Sequence, residues 1–335
     1  MRLTDIIVFA AYLIGIVIYG SSFYRKNKSA EAFTLGSKKI PTWVISMSIF
    51  ATFVSSISYL ALPGQAFNSN WNPFVFSLSI PFASLMAAKF FVPLYRSVNS
   101  ASAYTYLEMR FGAWAKIYAS MMYLLTQLMR SGTILYLLAL TLNIFLGWNI
   151  ALVIVFTGIS VLIYTLLGGI QAVIWTDAIQ GIILILGAVV CAVILPFSMP
   201  EGPGQLFRIA AENNKFSLGS FNPGLTTSTF WVVLIYGIFI NLQNFGIDQN
   251  YVQRYMTAST EKEARKSAIY GGLLYIPVSF LFLFIGTSLY AYYSARPGML
   301  PEGIQPDRVF PFYIINNLPA GLTGLLIASV FAAGM

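Results

Sequence analysis

Along most of this sequence, runs of about twenty apolar residues alternate with shorter polar segments. The runs are Ile6–Ser22, Pro41–Phe67, Phe74–Tyr95, Ala115–Leu146, Ile150–Leu167, Gln171–Leu195, Thr229–Gln249 and Ala268–Tyr293. A ninth begins near Ala320 and reaches Met335. A helix of roughly 20 apolar residues crosses the ~30 Å hydrocarbon core of a bilayer. A helix also satisfies its own backbone hydrogen bonds there. The pattern therefore predicts eight transmembrane helices and the start of another, counted below as spans 0 to 8. Two longer polar segments, Pro196–Ser228 and Ser294–Pro319, are rich in Pro, Gly and Asn and are expected to hold short interfacial helices. Span 0 lacks a basic cluster ahead of it and a small-residue cleavage pattern behind it, so it reads as a span rather than a signal peptide.

Composition agrees with an all-α polytopic membrane protein. The 335 residues are 58% hydrophobic and 9% charged, whereas a soluble domain has about 25% charged residues. Those values exclude a soluble enzyme, a secreted disulfide scaffold and a disordered chain. The chain has no histidine, which removes imidazole proton relays, His metal sites and Ser-His or Cys-His pairs. It carries no His-Glu-x-x-His, G-x-S-x-G or Walker loop either, so it is not expected to be an enzyme. Cys191, the single cysteine, lies in an apolar run and reads as packing. The net charge of +8 comes without a basic stripe interleaved with aromatics, which argues against nucleic acid.

The positive charges sort by side instead. Twelve of the nineteen Lys and Arg residues fall after span 0, between spans 2 and 3, and after span 6. Five fall on the opposite side, and Lys89 and Arg130 lie within spans. By the positive-inside rule the twelve are cytoplasmic and the N-terminus faces out. A multi-pass protein of the cell membrane is expected.

Ionisable residues within spans are functional hypotheses by default. Arg130 lies midway along span 3, Asp177 one to two turns into span 5, and Asp248 near the cytoplasmic end of span 6. Lys89 can snorkel. Arg130 and Asp177 have two readings. They form a structural ion pair, or each serves a ligand. At 1.5 Å per residue they lie about 22 Å and 9 Å from their cytoplasmic ends, an axial gap of roughly 13 Å. The gap favours separate partners: an anionic group on a solute for Arg130 and a hard cation for Asp177.

Spans 1 and 6 read as interrupted, by Ser55-Ser56-Ile57-Ser58 with Pro63-Gly64, and by Asn241, Gln243 and Asn244 before Phe245-Gly246. The alternative is polar packing between unbroken helices. The two segments open equivalent helix sets that begin on opposite sides of the membrane, which is the pattern of an inverted repeat with discontinuous helices. Phe245 is singled out as a gate because it sits at the expected break.

Three stretches resemble the sodium:solute symporter family. Gly168-Gly169-Ile170-Gln171-Ala172-Val173-Ile174-Trp175-Thr176-Asp177-Ala178-Ile179-Gln180 resembles its signature across spans 4 and 5. Asp248-Gln249-Asn250-Tyr251-Val252-Gln253-Arg254-Tyr255-Met256-Thr257-Ala258 is similar to the stretch that ends its span 6. Leu318-Pro319-Ala320-Gly321-Leu322-Thr323-Gly324-Leu325-Leu326, leading to Phe331-Ala332-Ala333-Gly334-Met335, looks like the start of its span 8.

The resemblance implies a leucine-transporter-type inverted repeat with an extra N-terminal helix. Residues 1–40 would hold that helix and a cytoplasmic loop, 41–195 the first repeat, 196–228 an extracellular loop, and 229–335 an incomplete second repeat. It implies Na+-driven solute uptake by alternating access. The main sodium site would use the carbonyls of Val54 and Ile57 together with groups from span 8, and a second site would use Asp177. Arg130 resembles the arginine with which bacterial sialic acid symporters hold the sugar acid's carboxylate, with Ser56 and Ser58 near the solute and Asn241 and Gln243 offering hydrogen bonds. The groups that bind galactose in sugar-transporting relatives would fall at Leu60 and Ala61, which argues against a neutral hexose. Span 2 lacks the glutamine that contacts sialic acid in those symporters. A symporter for another solute (an amino acid, a monocarboxylate or a neutral sugar) and a symporter-like sensor domain of a signalling receptor are the alternatives. Because span 8 stops short of its sodium ligands, the sequence is expected to be a piece of a longer symporter.

Overall fold

A computed structural model describes residues 2–26, 28–54, 56–98 and 100–334, with side chains for all of these except 26, 56, 57, 141, 144–146, 329 and 332–334. The described residues form helices and no strand. In chain order these are α1 (Leu3–Ser21), α2 (Ala30–Leu35), α3 (Thr42–Phe53), α4 (Ser56–Asn68), α5 (Phe74–Leu78), α6 (Ile80–Met86), α7 (Val92–Val98), α8 (Thr105–Phe111), α9 (Ala113–Leu146), α10 (Ile150–Phe197), α11 (Pro203–Glu212), α12 (Phe230–Ile247), α13 (Gln249–Met256), α14 (Glu261–Ser294), α15 (Pro306–Asn317) and α16 (Leu322–Gly334). A π turn over Ala87–Phe91 joins α6 to α7, so that Phe74–Val98 runs as one span. The two longer polar segments hold α11 and α15, as their composition predicts.

Spans 4 and 5 run together as the 48 residues of α10. A straight helix of that length would reach about 72 Å, more than twice the thickness of the hydrocarbon core. It is not straight. Gly169 stands inside it at φ +58°, ψ −161°, a conformation that only glycine adopts without strain. The backbone therefore turns between the two expected spans.

Span 1 is broken as expected. α3 ends at Phe53, Val54 is extended at φ −94°, ψ 107°, and the α3 and α4 axes are bent by 56°. Span 6 breaks later than expected. α12 continues through Asn241, Gln243, Asn244, Phe245 and Gly246, and the chain becomes extended only at Asp248, φ −77°, ψ 119°. The reason lies in who satisfies the freed carbonyls at the helix end. Tyr255 donates to the Phe245 carbonyl at 3.2 Å, Tyr95 to Gly246 at 2.5 Å and Tyr104 to Ile247 at 3.2 Å. Burial and the nearby Asp248 carboxylate push the Tyr104 phenol up to about 12, so it remains a donor at neutral pH. Asp248 then accepts from the Asn250 N–H at 2.8 Å and caps α13.

Span 7 starts seven residues before its apolar run. Thr260 caps α14 by accepting from the Glu263 N–H, and Arg265 pairs with Glu261 one turn away. Local capping thus carries the helix beyond the apolar stretch. α14 packs on α3 and α4. At Gly286 a Cβ would come within 2.1 Å of the Pro63 carbonyl oxygen of α4, so only glycine permits that approach. The core between these helices is aromatic. Tyr59 stacks on Phe310 and meets Phe282 edge-on, while Phe53 contacts Phe245, Tyr251 and Tyr275. Cys191 is fully buried. At the other end of the chain, the buried Asp5 carboxylate accepts from the Gly321 and Gly324 N–H groups at 2.7 and 3.1 Å, tying α1 to the start of α16.

Candidate functional site

The extended Val54 opens the end of α3 onto a cavity of about 430 Å³, within the size range of small-molecule sites. α9 contributes Gln127, Arg130 and Ser131 to its lining, α10 contributes Thr165, Asp177 and Gln180, and α13 contributes Asn250 and Arg254. Arg130, Asp177 and Val54 therefore share one chamber. Asp177 is the one carboxylate among the lining residues, alongside two guanidinium groups. That balance suits an anionic solute.

Among the described residues, Arg130 and Asp177 do not pair with each other. Each has a protein partner instead, which corrects the expectation that only ligands would answer these charges. Asp177 accepts from Arg254 Nη2 at 2.9 Å and Nε at 3.3 Å, and from Ser48 Oγ at 2.6 Å. Arg254 Nε also donates to Ser48 Oγ at 2.8 Å, which closes a triangle between α3, α10 and α13. Both charged side chains are mostly buried, at 15% and 12% exposure. The Arg130–Asp248 contact is looser, at 3.9 Å, with the Arg130 side chain 43% exposed. Arg130 therefore keeps donors free for a second anion, whereas Asp177 is firmly held.

Sequence reasoning missed Arg254, Asp248 and Ser48 as site partners. Arg254 reads as a cytoplasmic loop charge because nothing in the periodicity reveals that α13 folds back under the bundle. The available signal was that Asp248 and Arg254 sit in the same family-like stretch. Gln180, one turn beyond Asp177 and on the same helix face, is 5% exposed, and its amide nitrogen has no hydrogen-bond partner among the described residues.

The other expected contacts lie elsewhere. Ser58 hydrogen-bonds Tyr275 on α14. Asn241 is fully buried and donates to Ser79 Oγ at 2.9 Å, while Gln243 is exposed. Two residues apart on one helix they point about 200° apart, so they cannot serve one pocket together. Phe245 is fully buried against Phe53 and Tyr251, at 5.5 and 5.7 Å between ring centroids. The side chains of Ser56 and Ile57 lie outside the described residues. Lys89 is exposed, 5.2 Å from the centroid of the Phe90 ring.

The donor set also limits the cation. Among the described residues no three His, Cys, Asp or Glu side chains come together as a metal cluster. One carboxylate with neighbouring hydroxyls and amides is a hard, singly charged set that fits a monovalent cation.

Residues 33–335 match the sodium:solute symporter family. The sodium/sialic acid symporter SiaT of Proteus mirabilis is 34% identical over 328 residues, covering 97% of this chain and 66% of its own length. The sodium/sialic acid symporter NanT of Aliivibrio fischeri is 35% identical, covering 96% of this chain and 64% of its own. The chain thus spans just under two thirds of the length of these relatives. A solved structure of a Na+-coupled sialic acid symporter, in a substrate-bound outward-open state, superposes with a TM-score of 0.96 at 32% identity and covers 99% of this chain and 70% of that one. The chain belongs to the sodium:solute symporter family.

Proposed function

We propose that the protein imports a carboxylate-bearing sugar acid such as sialic acid, driven by sodium, through alternating access. The observation that carries this reading is the shared cavity of Arg130 and Asp177, one half-exposed guanidinium and one carboxylate. Arg130 is the seat for the solute's carboxylate, through paired N–H···O contacts. Its loose contact with Asp248 leaves that geometry open. Asp177 is the carboxylate of one sodium position. The carbonyl of Val54, at the end of α3, contributes to another with that of Ile57. Ser56 and Ser58, at the start of α4, offer hydroxyls to the solute. The N-terminus faces out, and residues 41–195 and 229–335 contribute to two inverted repeats. The activities of the sialic acid symporters it resembles and the positive-inside distribution support this reading.

The test is equilibrium binding of sialic acid at saturating sodium, compared with its uncharged C1 amide. Two hydrogen bonds to a charged group are together worth about 3–6 kcal/mol. Arg130→Ala should therefore weaken sialic acid binding by roughly 100-fold or more and leave the amide little changed. Wild-type affinity for sialic acid in that variant would remove Arg130 from the solute site.

A further inference from the structure

We propose that Arg254 is a tethered cation, which holds the Asp177 carboxylate until sodium displaces it. The inference rests on the reading of Asp177 as a sodium ligand. Its own observation is the geometry of the contacts. Arg254 Nη2, Arg254 Nε and Ser48 Oγ all donate to the same carboxylate oxygen, Oδ2. No hydrogen bond reaches Oδ1 among the described residues. A sodium ion bound to this carboxylate would share it with the guanidinium, and two like charges on one carboxylate repel strongly in a partly buried site. The two cations are therefore alternatives.

The exchange has two consequences. Replacing one unit of positive charge by another leaves the local charge unchanged. A divalent ion would leave an excess, so the arrangement selects for a monovalent cation. The Arg254–Asp177–Ser48 triangle also ties α13 to α10 and α3. Release of Arg254 by sodium therefore removes the polar tie from α13, beyond the break at Asp248, to the other two helices, while Tyr251 stays packed on Phe53. Sodium binding then carries a structural message as well as a charge. Arg254 acts here as a positioning residue, and it reduces apparent sodium affinity in proportion to the fraction of time it leaves the carboxylate free.

Sodium titration of the intact, purified protein without solute tests this, read by the fluorescence of Trp175, two residues from Asp177. The relevant component is the part of the titration that Asp177→Asn abolishes. Arg254→Gln should tighten that component about tenfold. Arg254→Lys should tighten it less, about threefold, because an ammonium keeps the charge and loses the planar fork. Unchanged or weaker sodium binding in Arg254→Gln would overturn the proposal. Should that variant fail to fold, Arg254→Lys decides by the same criterion. If Asp177→Asn abolishes no component, the reading of Asp177 as a sodium ligand fails first. If it does abolish one and neither Arg254 variant tightens it, only the role of Arg254 fails.

Discussion

Arg130 and Asp177 face the same chamber with opposite energetics. The Arg130–Asp248 contact is long and half in the open, and such pairs contribute about 0–1 kcal/mol. Arg130→Ala should therefore lower the thermal unfolding midpoint only slightly while removing solute binding. Asp177 and Arg254 are mostly buried and joined by two hydrogen bonds. Removing one member strands the other, at a cost of roughly 3–5 kcal/mol. Asp177→Ala should show that loss in thermal unfolding without sodium, and a stability change as small as that of Arg130→Ala would contradict the picture. Both charges were legible in the sequence because a charge inside an apolar run stands out. Their partners were not. Asp248 stood out at the end of span 6 but not as the partner of Arg130, and Arg254 lies in an ordinary polar context that only the fold of α13 brings to the cavity.

At the scale of elements, every apolar run holds a helix among the described residues, because lipid leaves the backbone no alternative. The runs said less about where a helix turns or stops. Gly169 marks the turn inside α10, and Gly169→Ala should cost about 1–3 kcal/mol through strain at its positive φ, measurable as a lower unfolding temperature. The break of span 6 falls after Gly246 rather than around Asn241. It is fixed by three tyrosine hydroxyls, Tyr255 from the following α13 and Tyr95 and Tyr104 from distant segments, and no local pattern encodes the latter two. The C-terminal end of α4 depends on another distant group. Lys215, buried beside the Tyr290 ring, donates to the Phe67 carbonyl at 2.6 Å. A cation suits the C-terminal carbonyls of a helix. Lys215→Met should cost about 1.5–3 kcal/mol in stability and leave the sodium titration at Asp177 unchanged. A shifted titration would mean that the end of α4 is coupled to the cation site.

At the scale of the whole molecule, the account turns on coupling between two ligands in one chamber. If sodium raises solute affinity by some factor, solute must raise sodium affinity by the same factor. The charges also decide how voltage acts. One sodium moving with one carboxylate is electroneutral. On the proposed sites, two sodium ions, one at Asp177 and one at the α3–α4 break, would carry one net positive charge inward with one carboxylate, and a potential of 100 mV would then add about 2.3 kcal/mol to accumulation. The central claim, sodium-driven import of a sugar acid, is tested most directly by sialic acid uptake into proteoliposomes of the intact protein under an inward sodium gradient. The account predicts accumulation above the external concentration, collapse when the sodium gradient is dissipated, and loss of uptake in Arg130→Ala. Simple equilibration of sialic acid, or uptake indifferent to sodium, would contradict it.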